Sequence, residues 1–420
     1  MLTFPRILLS MLTVLASGTA ARAAREPWQD FKAPPHNYWS RPVTDRFSLL
    51  KDSLESGAIP LDSSSEKAFV VSLLGALKVP VSSQMLVFSA TSLQLPRISL
   101  RNPRALYFTD DLYVGWVPGG QLEIVSLDPA LGGIYYIMDV PRRTGGPMNI
   151  QRSTRCMNCH GATDTGFVPG LVLSSVIPGA NGGSLISFRQ EALGHGVPLS
   201  ERFGGWLVTG LGSLTEHRGN VTGRLSEGNL TTTPVEWGAT FDPGRYPSTG
   251  SDLLPQLLHE HQAGFITQVL EATYRSRVAL EAGNATVPPD REEEMNTVAE
   301  AVTRYLLFRD EVPLPAGGVA GEPAFLKDFT GTGRLADREG RSLRDLDLKT
   351  RMLRHRCSYM IYSPVFTGLP PDMKSRVFAR MRRALDPAVP DGDYAYLGAE
   401  EKTAIRSILK ATLKDLPADW

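Results

Sequence analysis

The sequence predicts an α+β fold, predominantly α-helical, with a small N-terminal antiparallel sheet, a Gly/Pro-rich segment and a helical C-terminal half. Three observations predict it. Strand-like apolar runs separated by turn residues fall in the first 150 positions. Glycine and proline punctuate the stretch down to about position 250. From Ser251 onward apolar residues recur at the three- and four-residue spacing of a helix face.

Residues 1–23 read as a signal peptide. Arg6 precedes an apolar run, and Ala21-Arg22-Ala23 presents small residues where a signal peptidase cleaves. That run is shorter than the stretch of about 20 residues needed to span a bilayer, so no transmembrane segment is expected in the mature chain, which is expected to be periplasmic. Residues 24–150 form an N-terminal α+β region. Met85–Phe88, Gln121–Leu127 and Gly133–Val140 have strand character, and turns at Pro118-Gly119-Gly120 and Gly132-Gly133 suit a small antiparallel sheet. Residues 151–250 make the Gly/Pro-rich segment. Residues 251–420 are read as helical, with helices over 253–282, 290–308, 343–360, 371–385 and 399–416 and a Pro/Gly loop at 312–318.

Charge narrows the partners. Lys+Arg and Asp+Glu both number 44, with no long basic block, so neither nucleic acid nor an anionic membrane surface is favoured. Arg380-Met381-Arg382-Arg383 suits the solvated face of a helix, and no period of 20–50 residues points to a repeat array.

The chemistry concentrates in Arg155-Cys156-Met157-Asn158-Cys159-His160, which holds two of the three cysteines. A thioredoxin-like pair would follow a hydrophobic strand, but Asn149, Gln151, Arg152, Ser153, Thr154 and Arg155 lead into Cys156. A structural zinc site needs four ligands, and Cys357 has no cysteine partner nearby. Covalent haem attachment satisfies the pattern: both thiols add to the porphyrin vinyl groups and the adjacent histidine ligates the iron. A thioether also resists the disulfide exchange an oxidising compartment would impose. The reading is one haem c per chain, held by Cys156, Cys159 and His160, with His160 as proximal iron ligand and residues 251–420 packing on it. Ligating histidines usually donate their second N–H to a carbonyl, and the Val168-Pro169-Gly170 turn is the expected acceptor.

No methionine lies between Met157 and Met295, so the sixth ligand is sought among histidines. His217 or His261 is the candidate distal ligand. His261 falls in the apolar stripe of the 253–282 helix, whereas His259 is expected to face solvent without a role. His217 ends a glycine-rich loop in which Trp206 could pack on a flat ligand and Arg218 could pair with a propionate, and it stands slightly ahead. His195 is read as a surface loop residue. Cys357, the odd thiol, is expected to be a buried inert side chain, with a thiolate ligand as the sharper alternative.

The motif resembles those of c-type cytochromes. Together with Tyr113–Gly120, Phe203–Gly210, His217–Asn220, Glu260-His261-Gln262 and Cys357–Pro364, it is similar to a group of poorly characterised exported bacterial cytochrome c proteins. The resemblance covers most of the mature chain. It implies a haem protein in a redox setting, with His160 proximal, and leaves the distal ligand open. The group carries polar side chains after the His-Gln pair where this chain has Gly264 and Phe265. The function expected is electron transfer between a periplasmic redox partner protein or small molecule and the haem iron. The alternative is a peroxidase or oxidase with an open distal site, in which Glu216, His217 and Arg218 act as acid and base. About 400 residues exceed what one small cytochrome domain requires, which weighs against a simple shuttle.

Overall fold

The computed structural model describes residues 25–141, 148–188, 192–388, 391–418 and 420, so the signal peptide expected at 1–23 lies outside the described residues. After a short N-terminal turn come helices α1 (Arg46–Glu55) and α2 (Glu66–Ala76). Each starts where a side chain satisfies free backbone N–H groups: Asp45 accepts from Phe47 and Ser48, and Ser65 accepts from Ala68.

The chain then lays down β1 (Met85–Val87), β2 (Arg104–Phe108), β3 (Leu112–Trp116), β4 (Gln121–Asp128), β5 (Gly132–Asp139) and β6 (Ile150–Arg152). A short helical turn α3 (Met157–His160) follows, then a hairpin of β7 (Ser175–Pro178) and β8 (Ser184–Phe188), then β9 (Trp206–Leu207), then a second hairpin of β10 (Val221–Ser226) and β11 (Asn229–Pro234). The rest is helical: α4 (Leu253–Ala282), α5 (Glu292–Leu306), α6 (Pro323–Gly331), α7 (Pro364–Thr367), α8 (Pro371–Ala384) and α9 (Ala399–Thr412).

The expected small sheet is corrected by this architecture. Helix exceeds strand, 37% against 16%. The sheet is nevertheless large, seven antiparallel strands in the order β6-β5-β4-β3-β2-β1-β9. It reaches that size for two physical reasons. All five residues of β3 are buried, which erases the polar alternation that marks a half-exposed strand. The seventh strand comes from far along the chain, as Leu207 and Trp206 pair with Leu86 and Val87.

The helical half is as expected at α4, α5, α8 and α9 and differs over 343–360. There the chain makes turns instead. The Asp347 carboxylate accepts from the backbone N–H groups of Lys349 and Thr350, and Leu348 takes a left-handed φ of 60°, so side-chain bonds replace helical ones.

Cross-strand partners share a face. One face of the sheet carries Trp206-Val87-Arg104, Met85-Leu106-Gly115-Glu123-Ile137 and Phe108-Tyr113-Val125-Tyr135 in successive rows. The opposite face, with Tyr107, Val114, Ile124 and Tyr136, is buried up to Arg152 on the edge strand, and α1 covers part of it: Phe47 packs 4.8 Å from Tyr136, whose phenol donates to Asp45. Helix α4 lies on the first face at one end, where Gln262 Oε1 accepts from the Tyr113 phenol and the Tyr274 phenol donates to the Leu131 carbonyl. One continuous hydrophobic core runs from Trp28 to Trp420 and joins the three regions read from sequence. No helix among the described residues is long and apolar enough to cross a membrane.

Candidate haem site

Local backbone bonds assemble the motif. The Cys156 carbonyl accepts from Cys159 N at 3.2 Å and from His160 N at 3.0 Å, closing a single turn. On that turn Cys156 is half-buried and Cys159 exposed, both as free thiols. Gly161 ends it because a Cβ there would come within 2.7 Å of the Phe31 ring and 2.8 Å of the Met157 methyl.

His160 is held to Gly170 at two points. Its Nδ1 donates to the Gly170 carbonyl at 3.0 Å, and Gly170 N donates back to the His160 carbonyl at 3.1 Å. The turn expected from sequence to supply the acceptor does so. A carbonyl can only accept, so the proton sits on Nδ1 and Nε2 keeps its lone pair. Among the described residues Nε2 has no hydrogen-bond partner. Tyr135 packs 4.6 Å from the imidazole and donates to the same carbonyl.

Beside the motif the first sheet face is left half-open. Leu106, Val125 and Ile137 are only half-buried, and Gly115 between them has no side chain. The Arg104–Glu123 ion pair crosses this floor at 2.8 Å, and Arg104 Nε is buried without a partner. A narrow cleft of about 20 Å³, open to solvent, lies beside it and is lined by Met85, Leu173, Phe203, Trp206, His259 and Glu260.

Burial lowers His160 to about 4 and His259 to about 3, and the Arg104 charge adds to both shifts, so both rings are neutral at pH 7. Burial also pushes the Cys156 thiol up. Glu260 is lifted to about 7 by burial against the pull of Arg202, its partner at 3.1 Å.

The sequence candidates are placed unevenly. Trp206 lines the cleft, as a packing side chain should. His261 is fully buried with both nitrogens in use, Nδ1 to His195 Nδ1 at 2.8 Å and Nε2 to Ser358 Oγ at 2.7 Å. His195, expected on the surface, is 2% exposed because it completes this pair. His217 is half-buried beside Gly219, and among the described residues no bond or ring contact links it to the motif. Arg218 lies 3.6 Å over the Phe188 ring, and Glu216 is exposed. Cys357 is buried in the core, where burial raises its thiol far above the ordinary value; a thiolate ligand there is disfavoured.

Sequence reasoning missed Arg104, Glu123, Met85 and His259. His259 is 8% exposed and ringed by Phe108, Tyr113 and Trp206 at 5.4, 5.5 and 6.3 Å. The signal that could have found it is compositional. From Leu253 to Leu270 the only carboxylate or Lys/Arg residue is Glu260, so the helix has no solvated face for His259 to occupy.

The residues present fit a tethered haem. Two free thiols and a neutral imidazole with an unused nitrogen stand beside a partly open, largely apolar floor crossed by the Arg104–Glu123 ion pair. Among the described residues no three His, Cys, Asp or Glu side chains gather to hold a metal ion by themselves. No protein family, curated protein or solved structure matches this chain.

Proposed function

We propose that this protein is an exported c-type cytochrome that binds one covalent haem and passes electrons between periplasmic redox partners. The observation that carries the reading is the motif turn, with His160 fixed through Nδ1 to Gly170 and two unpaired thiols on the same turn. When bound, a haem c supplies one-electron Fe(III)/Fe(II) chemistry. Cys156 and Cys159 would hold it by thioethers and His160 Nε2 would ligate its iron. Gly170 and Tyr135 keep the imidazole oriented. Leu106, Val125, Ile137 and Leu173 exclude water, and Arg104 offers a cation for a propionate.

Expression into an oxidising compartment with haem-maturation machinery tests the reading. Haem should remain on the chain through a denaturing gel and resist acid-acetone extraction. A Cys156→Ser, Cys159→Ser double variant should lose it. Haem that extracts freely from the wild type would refute the attachment.

A second reading, a peroxidase or oxidase, draws on one observation: Glu260, lifted to about 7, lines the cleft next to His259 and could exchange a proton there. A high-spin ferric protein that reacts rapidly with peroxide would favour it.

A further inference from the structure

Helix α4 carries three potential metal-binding or proton-exchanging side chains in a row, His259, Glu260 and His261, and the structure sends them to three different environments. His261 turns to Ser358 and His195, and both of its nitrogens are bonded. Glu260 reaches Arg202. His259 alone has no hydrogen-bond partner among the described residues, although it is 8% exposed. Its ring nitrogens are not among the fully buried unpartnered atoms, so they are open towards the cleft. Its ring meets those of Phe108, Tyr113 and Trp206 and faces the cleft, which Ser174, Ser175 and Gln256 also line without bonding to it.

The cleft leads back to the motif through the sheet. Trp206, Val87 and Arg104 form one row of the open face, and the row beside it runs Met85-Leu106-Gly115-Glu123. Arg104 acts electrostatically on both His160 and His259, and Glu123 acts on both His160 and Cys156. One ion pair therefore neighbours the two thiols' turn on one side and the α4 histidine on the other.

The remaining histidines lie away from the cleft lining, although His36 also has both ring nitrogens unpartnered. His36 stacks on Tyr274 at 4.1 Å, His195 is bonded to His261, and His355 lies 4.0 Å from Asp345. His217 stands outside the cleft lining. Met85 lines the cleft and is the one competing soft donor, but it is fully buried on β1 as part of the sheet floor. His259 stands on a 30-residue helix anchored by bonds to the sheet, a rigid mount suited to a ligand.

We infer that His259 is the second axial ligand of the haem iron, opposite His160. This rests on the haem reading above. It makes the iron bis-imidazole and six-coordinate, which fits electron transfer better than activation of a bound substrate.

The test uses the full chain, loaded with haem during export, and reads the ferric spin state by electron paramagnetic resonance alongside covalent haem by gel staining. The wild type should be low-spin. His259→Ala should keep its covalent haem and become high-spin, and added imidazole should return it to low-spin. His259→Met, which keeps the volume and offers a thioether, should stay low-spin with a raised reduction potential; it carries the test if the alanine variant fails to fold. Met85→Leu and His217→Ala should leave the spin state unchanged. A haem-loaded His259→Ala or His259→Met that keeps the wild-type spectrum and potential overturns the assignment, as does a high-spin wild type or a Met85→Leu variant that turns high-spin. A wild type with no covalent haem overturns the haem reading itself, and staining reports that separately from the spin state.

Discussion

His259 and His261 stand two residues apart on one helix, and the two sides of that helix differ in what they leave undone. On the His261 side every polar atom of the ring is matched: His195 takes Nδ1, Ser358 takes Nε2, and the Tyr305 phenol donates to the His261 carbonyl at 2.9 Å. On the His259 side the ring meets aromatic edges and a cleft. Both residues are buried, so burial does not separate them. What separates them is hydrogen-bond satisfaction: a ring with both nitrogens bonded is a structural element, and a ring with neither bonded has capacity left for a ligand.

The largest expected effect breaks the matched side. His261→Ala removes a packed ring, strands His195 Nδ1 in the core and takes one of the two partners of Ser358 Oγ, and should cost about 3 kcal/mol in denaturant unfolding. The same variant, loaded with haem, should keep the wild-type spin state. A spectral change without a stability loss would reverse the roles given to the two sides. Ser358→Ala sharpens the point by unmatching Nε2, together with the Met360 N–H that Ser358 Oγ also accepts, with an expected loss of about 1–2 kcal/mol and no spectral effect.

Next in size is the open sheet face. A side chain at Gly115 would start 3.2 Å from Leu106 Cδ2 and 3.6 Å from Glu123 Cβ, a tight but accessible space on the half-open floor. Gly115→Val should therefore leave the apo protein folded, as judged by its thermal transition, while lowering the fraction of chains that carry haem after export. Equal loading with the wild type would mean that the floor is not part of the site.

The smallest effect concerns the start of α4. Burial raises Asp252 to about 6 from an ordinary 3.8. A carboxyl raised in the folded state binds its proton more tightly there, so its contribution to stability falls as pH climbs between those two values. Wild type minus Asp252→Asn, followed by urea midpoint, should fall across that window and stay flat above it. A difference that rises with pH would contradict the burial argument.

The helices of the C-terminal half were legible because their apolar spacing is local: α4 begins at Leu253 and ends at Ala282 as the periodicity predicts. The turns at 345–353 were not, because leucines at helical spacing read as a helix until Asp347 is seen bonding to the backbone beyond it. The sheet was underestimated because β2 and β3 are flanked by buried neighbours on both sides, and β9 is two residues long and exists only through its pairing with β1. At the site, His259 was assigned to solvent by treating α4 as a one-sided helix. It is covered on both sides, by the sheet at Tyr113 and by Ser358 and Tyr359.

The sequence by itself determined the motif's chemistry. Cys156, Cys159 and His160 lie within one helical turn, where backbone geometry alone brings two thiols and an imidazole together, and the Gly170 acceptor is only ten residues away. Only the tertiary structure decided which side chains gather at the open sheet face. Arg104 comes from β2, Trp206 from β9 and His259 from α4, and they meet because strand register and helix packing place them on one face. Those contacts join residues far apart in the chain, and periodicity reports which way a side chain points along its own element, not which other element it will meet.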